Sequence, residues 1–129
     1  MNKAKWFGSA VFLLCLLTSC PQDAGRVNLD INNFTDNLNI VYVGAINFTG
    51  GGNNYEDVSD NLLDSVIVAG DDRELFVPLR QIADGDGIVV QMSGGALYTA
   101  SIPGGFTSGM RVGILMIRNL QGVVELRIS

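Results

Sequence analysis

The apolar residues that follow residue 25 recur with a period of two, in short runs, and nowhere hold helical spacing over three turns. Val27, Leu29 and Ile31 alternate with Asn28, Asp30 and Asn32. Val124, Leu126 and Ile128 alternate with Glu125 and Arg127. Such alternation describes a strand with one face buried and one in water. The runs are rich in Val and Ile and are divided by Gly, Asn and Asp, the residues that turns require.

Eight runs can be marked out: residues 27–32, 38–48, 62–69, 74–80, 88–92, 96–102, 111–117 and 123–128. Leu38, Ile40, Tyr42, Ile46 and Phe48 share parity, with Val41 and Val43 opposite, so the second run predicts a central strand. Gly44 marks a bulge there. Pro78 lacks a ladder donor and places its run at an edge. Residues 49–61 form the longest irregular segment. Ser93-Gly94-Gly95 and residues 119–122 join two hairpins. The spacing predicts an all-β domain, a small antiparallel β-sandwich of immunoglobulin-like or related Greek-key type. A small closed β-barrel is the alternative.

The start of the chain differs. Lys3 and Lys5 precede an apolar run, residues 7–17, which ends in Thr18-Ser19-Cys20. A cationic start, a short apolar stretch and small exit residues make a secretory signal. The run is too short to span a bilayer, which takes about 20 apolar residues. Leu17-Thr18-Ser19-Cys20 resembles the lipobox of bacterial lipoproteins. The resemblance implies a signal peptide over residues 1–19, cleavage before Cys20, a diacylglyceryl group on the Cys20 sulfur and acylation of the new N-terminus. Residues 20–25 then form the lipidated cysteine and a short tether, and residues 26–129 a single domain. Pro21 stands where inner-membrane lipoproteins of some bacteria carry Asp, so the resemblance favours the outer membrane. Cys15 follows Leu14, which is too large for the cleavage site, and reads as a small hydrophobe of the signal.

Processing leaves 110 of the 129 residues, and loss of Lys3 and Lys5 takes the net charge from −5 to −7. The chain keeps six arginines, no lysine and no histidine. Without a basic patch, nucleic acid is not an expected partner. With no histidine and its one remaining cysteine lipidated, a Ser–His or Cys–His pair is excluded, as are the usual zinc ligand sets.

Three oxygen-based readings remain. Asp57, Asp60 and Asp64 could serve a carboxylate-only hydrolase. Asp57, Asp60, Asp71, Asp72, Asp84 and Asp86 could supply calcium if their loops met at one end of a sandwich. Against that, Asp-Gly pairs such as Asp84-Gly85 and Asp86-Gly87 are ordinary turn formers. Tyr55 and Phe106 lie in irregular segments. They read either as exposed aromatics that contact a sugar or a partner, or as caps folded onto the core. Two sequons, Asn33-Phe34-Thr35 and Asn47-Phe48-Thr49, read as chance in such a chain, with Phe48 expected in the core. The residues therefore point to a non-catalytic module without a cofactor. The lipid on Cys20 holds it to the membrane. Its loops or an edge strand meet another envelope or extracellular protein, a glycan, or a second copy of itself.

Mass spectrometry of the protein extracted from its own cells should find Cys20 as an acylated N-terminus. Cys20→Ala should move the protein out of the detergent phase, because two or more acyl chains are needed for stable anchoring. A soluble wild type with an unmodified thiol would end the lipoprotein reading.

Overall fold

The alternation at residues 27–31 becomes a strand that crosses the middle of a sheet. Val27, Leu29 and Ile31 are fully buried, and the polar residues between them face outward. A computed structural model describes residues 25–50 and 54–129. The signal, Cys20 and the tether up to residue 24 lie outside the described residues.

Eight strands and one short helix follow in order. They are β1 (Arg26–Phe34), β2 (Ile40–Phe48), β3 (Tyr55–Asp57), β4 (Asp72–Pro78), α1 (Leu79–Ile82), β5 (Gly87–Met92), β6 (Leu97–Ser101), β7 (Arg111–Arg118) and β8 (Val124–Ile128). They form two four-stranded sheets, ordered β4-β1-β7-β8 and β3-β2-β5-β6. The sheets do not close into a barrel; the fold is a small β-sandwich. Between them lies one core, built from Val27, Leu29, Ile31, Val43, Ile88, Val90, Ile114 and Met116 among others. Apolar burial drives this arrangement at roughly 25 cal/mol per Å².

Four local expectations change. The run at 62–69 is not a strand. It crosses the open side of the sandwich, burying Leu63 and Ile67, and pairs only through a bridge from Ile67 to Ile40. The segment 49–61, read as irregular, contains β3. Leu79 ends the alternation early, because Leu79–Ile82 turns into α1 just after Pro78. The bulge in β2 falls between Ile40 and Tyr42, not at Gly44. One extra residue reverses the side on which every later side chain emerges. Val43 and Ala45 therefore enter the core, while Tyr42, Gly44, Ile46 and Phe48 face out.

The antiparallel expectation holds for every pairing but one: β1 runs parallel to β7, from Asn28↔Arg111 to Phe34↔Ile117. β4 is an edge strand with Pro78 as its last residue, β2 is internal, and both hairpins form.

Where the chain leaves β1 for the second sheet, Asn33 is buried completely. Its amide nitrogen donates to the Leu38 carbonyl at 2.8 Å and the Ile67 carbonyl at 3.1 Å. Its Oδ1 accepts from the Thr35 hydroxyl at 2.6 Å and the Thr35 amide at 3.2 Å. Its backbone N–H and C=O pair with Asp71 and Gly70. Every polar group of Asn33 is thus satisfied, and the first sequon has no exposed asparagine.

Asn33→Ala leaves the Ile67 carbonyl and the Thr35 amide without their side-chain partner. It should lower stability by about 1–3 kcal/mol. Urea unfolding should show a lower midpoint at unchanged slope. A midpoint equal to wild type would remove Asn33 from its structural role.

Candidate functional site

The two outer faces of the sandwich differ in charge. Five of the six arginines sit on β4, β1, β7 and β8, with Asp30, Asp72, Glu74 and Glu125 among them. Arg111 meets Asp30 at 2.9 Å and Glu74 at 3.6 Å, Asn28 donates to Glu74 at 2.9 Å, and Arg127 reaches Glu125 at 3.1 Å. Arg26 stacks on the Phe76 ring at 4.8 Å. Solvated pairs like these contribute about 0–1 kcal/mol each. Phe34 and Phe76 stand exposed on the same face, and Arg26, Asn28, Phe76, Met110 and Arg111 line a depression of about 270 Å³ there.

The second sheet carries no arginine or lysine at all. Its only charged residues are Glu56 and Asp57, both on the short edge strand β3. The outward row holds Tyr42, Ile46, Phe48, Tyr55, Val89, Gln91, Leu97 and Thr99, as the strand registers require. Ile46 and Val89 are buried although they lie outside the sandwich core.

Glycines explain how. A side chain at Gly44 would stand 2.8 Å from the Tyr42 ring, and one at Gly87 would stand 2.5 Å from the Phe48 ring. Each aromatic ring therefore lies over a glycine and flat on the sheet. The rings shelter apolar neighbours that pleating alone would leave in water.

Tyr42, Tyr55, Asp57, Val89, Gln91 and Leu97 line an open, shallow cavity of about 250 Å³ on this face. A second depression, about 400 Å³, shares Tyr55 and Leu97 and continues over Thr99 to Val124, Glu125 and Leu126 of β8. Leu97 is exposed and Tyr55 half-buried. The Tyr42 hydroxyl lies 3.4 Å from the Ser59 carbonyl, to which it can donate. Burial, then the charges of Asp57 and Asp60, push the Tyr42 phenol above its ordinary value. The cavity is thus aromatic, uncharged on its floor and electronegative at one rim.

The residues singled out from sequence separate. Tyr55 is on β3 and lines the cavity rather than standing in a loop. Phe106 is only 6% exposed and packs into the core, so of its two readings the cap folded onto the core holds and the exposed contact residue does not. Its loop folds inward through the bond from the Gly105 amide to the Ile102 carbonyl. Phe48, expected in the core, lies outside over Gly87.

Asp57 and Asp60 both act on Tyr42. Asp64 instead pairs with Arg73 at 3.4 Å. Asp71 and Asp72 sit where β4 begins, beside the end of β1, and Asp84 and Asp86 sit at the opposite end, where β5 begins. Asp86 accepts a bond from the Phe48 amide at 3.0 Å, a turn-stabilising contact. No group of three or more carboxylates suited to a metal occurs among the described residues. Sequence reasoning missed Tyr42, Gln91 and Leu97. The spacing Tyr42-x-Gly44, which lays a ring over a glycine, is the signal that could have found the first.

No family model and no curated protein matches this chain. An NMR structure of a protein from Eubacterium rectale is similar to it at a TM-score of 0.45 and 14% identity, over 84% of this chain and 93% of that one.

Folding favours the protonated Tyr42 phenol. Its contribution to stability is complete below the phenol's ordinary value of 10.0 and is lost as pH rises through the higher folded-state value. Ultraviolet titration of the phenolate should show one transition above the ordinary range that Tyr42→Phe abolishes. Asp57→Asn should move that transition down, because it removes a repelling charge. No response to Asp57→Asn would separate the carboxylate from the cavity.

Proposed function

We propose that this chain is a lipid-anchored, non-catalytic binding module of a bacterial envelope. Its contact surface is the outer face of the β3-β2-β5-β6 sheet. The single observation that carries the reading is the contrast between the two faces. One pairs arginines with carboxylates beside exposed Phe34 and Phe76 and a depression of about 270 Å³; the other holds aromatic and aliphatic side chains around a depression of about 250 Å³ and has no cation on any of its strands. The cores of partner contacts are poor in charge and enriched in aromatics such as Tyr, which bring area and few rotamers to a contact.

The anchor is Cys20, on the strength of its resemblance to the lipobox, and the outer membrane is the proposed location because Pro21 follows it. The partner is another envelope or extracellular protein, or a glycan; self-association is one version. A hydrolase built on Asp57, Asp60 and Asp64 gains no support, since Asp64 pairs with Arg73 instead of facing the other two. A single calcium site drawing on Asp71, Asp72, Asp84 and Asp86 gains none either, since the first two lie at the end opposite the last two.

A photo-crosslinking residue placed at Leu97 in the native cells should give a discrete adduct. The same residue at Glu74, on the ion-paired face, should not. Cys20→Ala should abolish the Leu97 adduct by releasing the module from its membrane. Adducts of equal yield from both faces, or from neither, would refute the assignment of the surface.

A further inference from the structure

We propose that the Tyr42–Tyr55–Asp57–Gln91 cavity receives one lysine or arginine side chain from a partner protein. The inference rests on the reading of this sheet face as the contact surface. It adds which chemistry the face selects.

Three observations carry it. The first is uncompensated charge. Asp57 and Asp60 take part in no ion pair among the described residues, and no arginine lies on any strand of this sheet. On the other sheet, by contrast, Arg111 serves two carboxylates and Arg127 one. The rim of this cavity is therefore a place where added positive charge lowers the energy and added negative charge raises it. Anionic sugars and phosphates are disfavoured by the same charges.

The second observation is the aromatic lining. Two of the chain's three tyrosines face this one cavity. The faces of phenol rings attract a cation by about 0.5–1 kcal/mol at exposed sites and about 2 kcal/mol when water is excluded. The third is the layout of acceptors and apolar floor. Leu97, 54% exposed beside the buried Val89, offers an aliphatic surface for the methylenes of a long side chain. The Asp57 carboxylate and the Gln91 amide oxygen can accept from an ammonium or guanidinium. A basic side chain has this same build, an apolar stem and a charged head.

The shape fits a chain rather than a free ion. The cavity continues, past Tyr55 and Leu97, into the second depression that ends at Glu125 on β8. A partner segment can place one basic residue in the cavity and run on across β6. The raised Tyr42 phenol agrees, since the carboxylates that disfavour a phenolate there favour a cation.

The test uses the purified lipidated chain in neutral detergent. The probes are a short Gly/Ser peptide with one central arginine, its lysine and glutamine counterparts, and a neutral glucose oligosaccharide. Calorimetry should find the two basic peptides bound about fivefold or more tightly than the glutamine peptide. That is the affinity change matching roughly 1 kcal/mol of cation–aromatic attraction. Asp57→Asn and Tyr55→Ala should each remove most of that preference, with melting temperature confirming that both fold. Asp72→Asn, which deletes the same charge from the other sheet, should leave it intact. Added salt should weaken the basic peptides and not the glutamine one.

Equal binding of the glutamine peptide would overturn the proposal, as would an Asp72→Asn effect equal to that of Asp57→Asn. Binding of the oligosaccharide alone would overturn it in favour of a glycan. If the basic peptides fail while Leu97 still crosslinks in cells, this inference fails and the contact surface stands. If Leu97 gives no adduct and the peptides also fail, both are rejected.

Discussion

The Asn33 side chain holds together the place where the two sheets part company. At that point β1 ends, the chain crosses to β2, and the segment carrying Ile67 comes alongside Ile40. Three backbone segments meet with carbonyls turned inward, and one amide donates to two of them at 2.8 and 3.1 Å. Both carbonyls keep one other donor, the Thr35 hydroxyl and the Ile40 amide, so an apolar residue here would remove the two amide bonds and leave the buried Thr35 amide without its acceptor, a loss of about 1–3 kcal/mol. Ile67 also exchanges both backbone hydrogen bonds with Ile40, at 2.9 and 3.0 Å. The bulge in β2 lies immediately after this anchor. The parity of the whole second sheet is thus set within a few residues of Asn33, including the outward placement of Tyr42.

That parity is what creates the contact face. Had β2 run without its bulge, Tyr42, Ile46 and Phe48 would have entered the core and Val43 and Ala45 would have faced water. The core would then have held two large aromatics between sheets spaced about 10 Å apart, where β-branched side chains now interlock. Instead the aromatics lie outside, over Gly44 and Gly87, and shelter Ile46 and Val89 there. The Gly87 position tolerates little change. An added carbon there would also stand 2.9 Å from the Ala100 carbonyl, which is backbone and cannot swing away.

Much of this was legible in the residues and some was not, for identifiable reasons. The alternating runs at 27–32 and 123–128 gave strands on the correct faces, because a half-buried strand writes its exposure directly into sequence. The run at 62–69 misled, because Val66-Ile67-Val68 carries β propensity yet pairs only through the Ile67–Ile40 bridge; propensity of that kind depends on context. β3 was invisible, since Tyr55, Glu56 and Asp57 resemble the polar loop around them. The parallel pairing of β1 with β7 joins residues about 80 positions apart, and a local pattern holds no information about it. For the site, Tyr55 and Asp57 were singled out by type. Their convergence with Tyr42, Gln91 and Leu97 depends on register, which only the fold supplies.

The geometry of attachment bears on what the face can reach. β1 starts at Arg26, at the same end as residues 83–86, residues 103–109 and the terminal Ser129. If Cys20 carries lipid, the residues from it to Gly25 span at most about 20 Å when fully extended. That end of the sandwich then stays near the bilayer. The opposite end, where the β7–β8 turn exposes Leu120 completely, points away. The Tyr42–Tyr55 cavity opens on the side wall of the second sheet and reaches Gln91 and Leu97, the last pair before the β5–β6 turn at that far end. A partner segment can lie along that wall without displacing the module from the membrane. Such an arrangement suits a neighbour in the same envelope layer, and anchoring would hold the face at high local concentration for it.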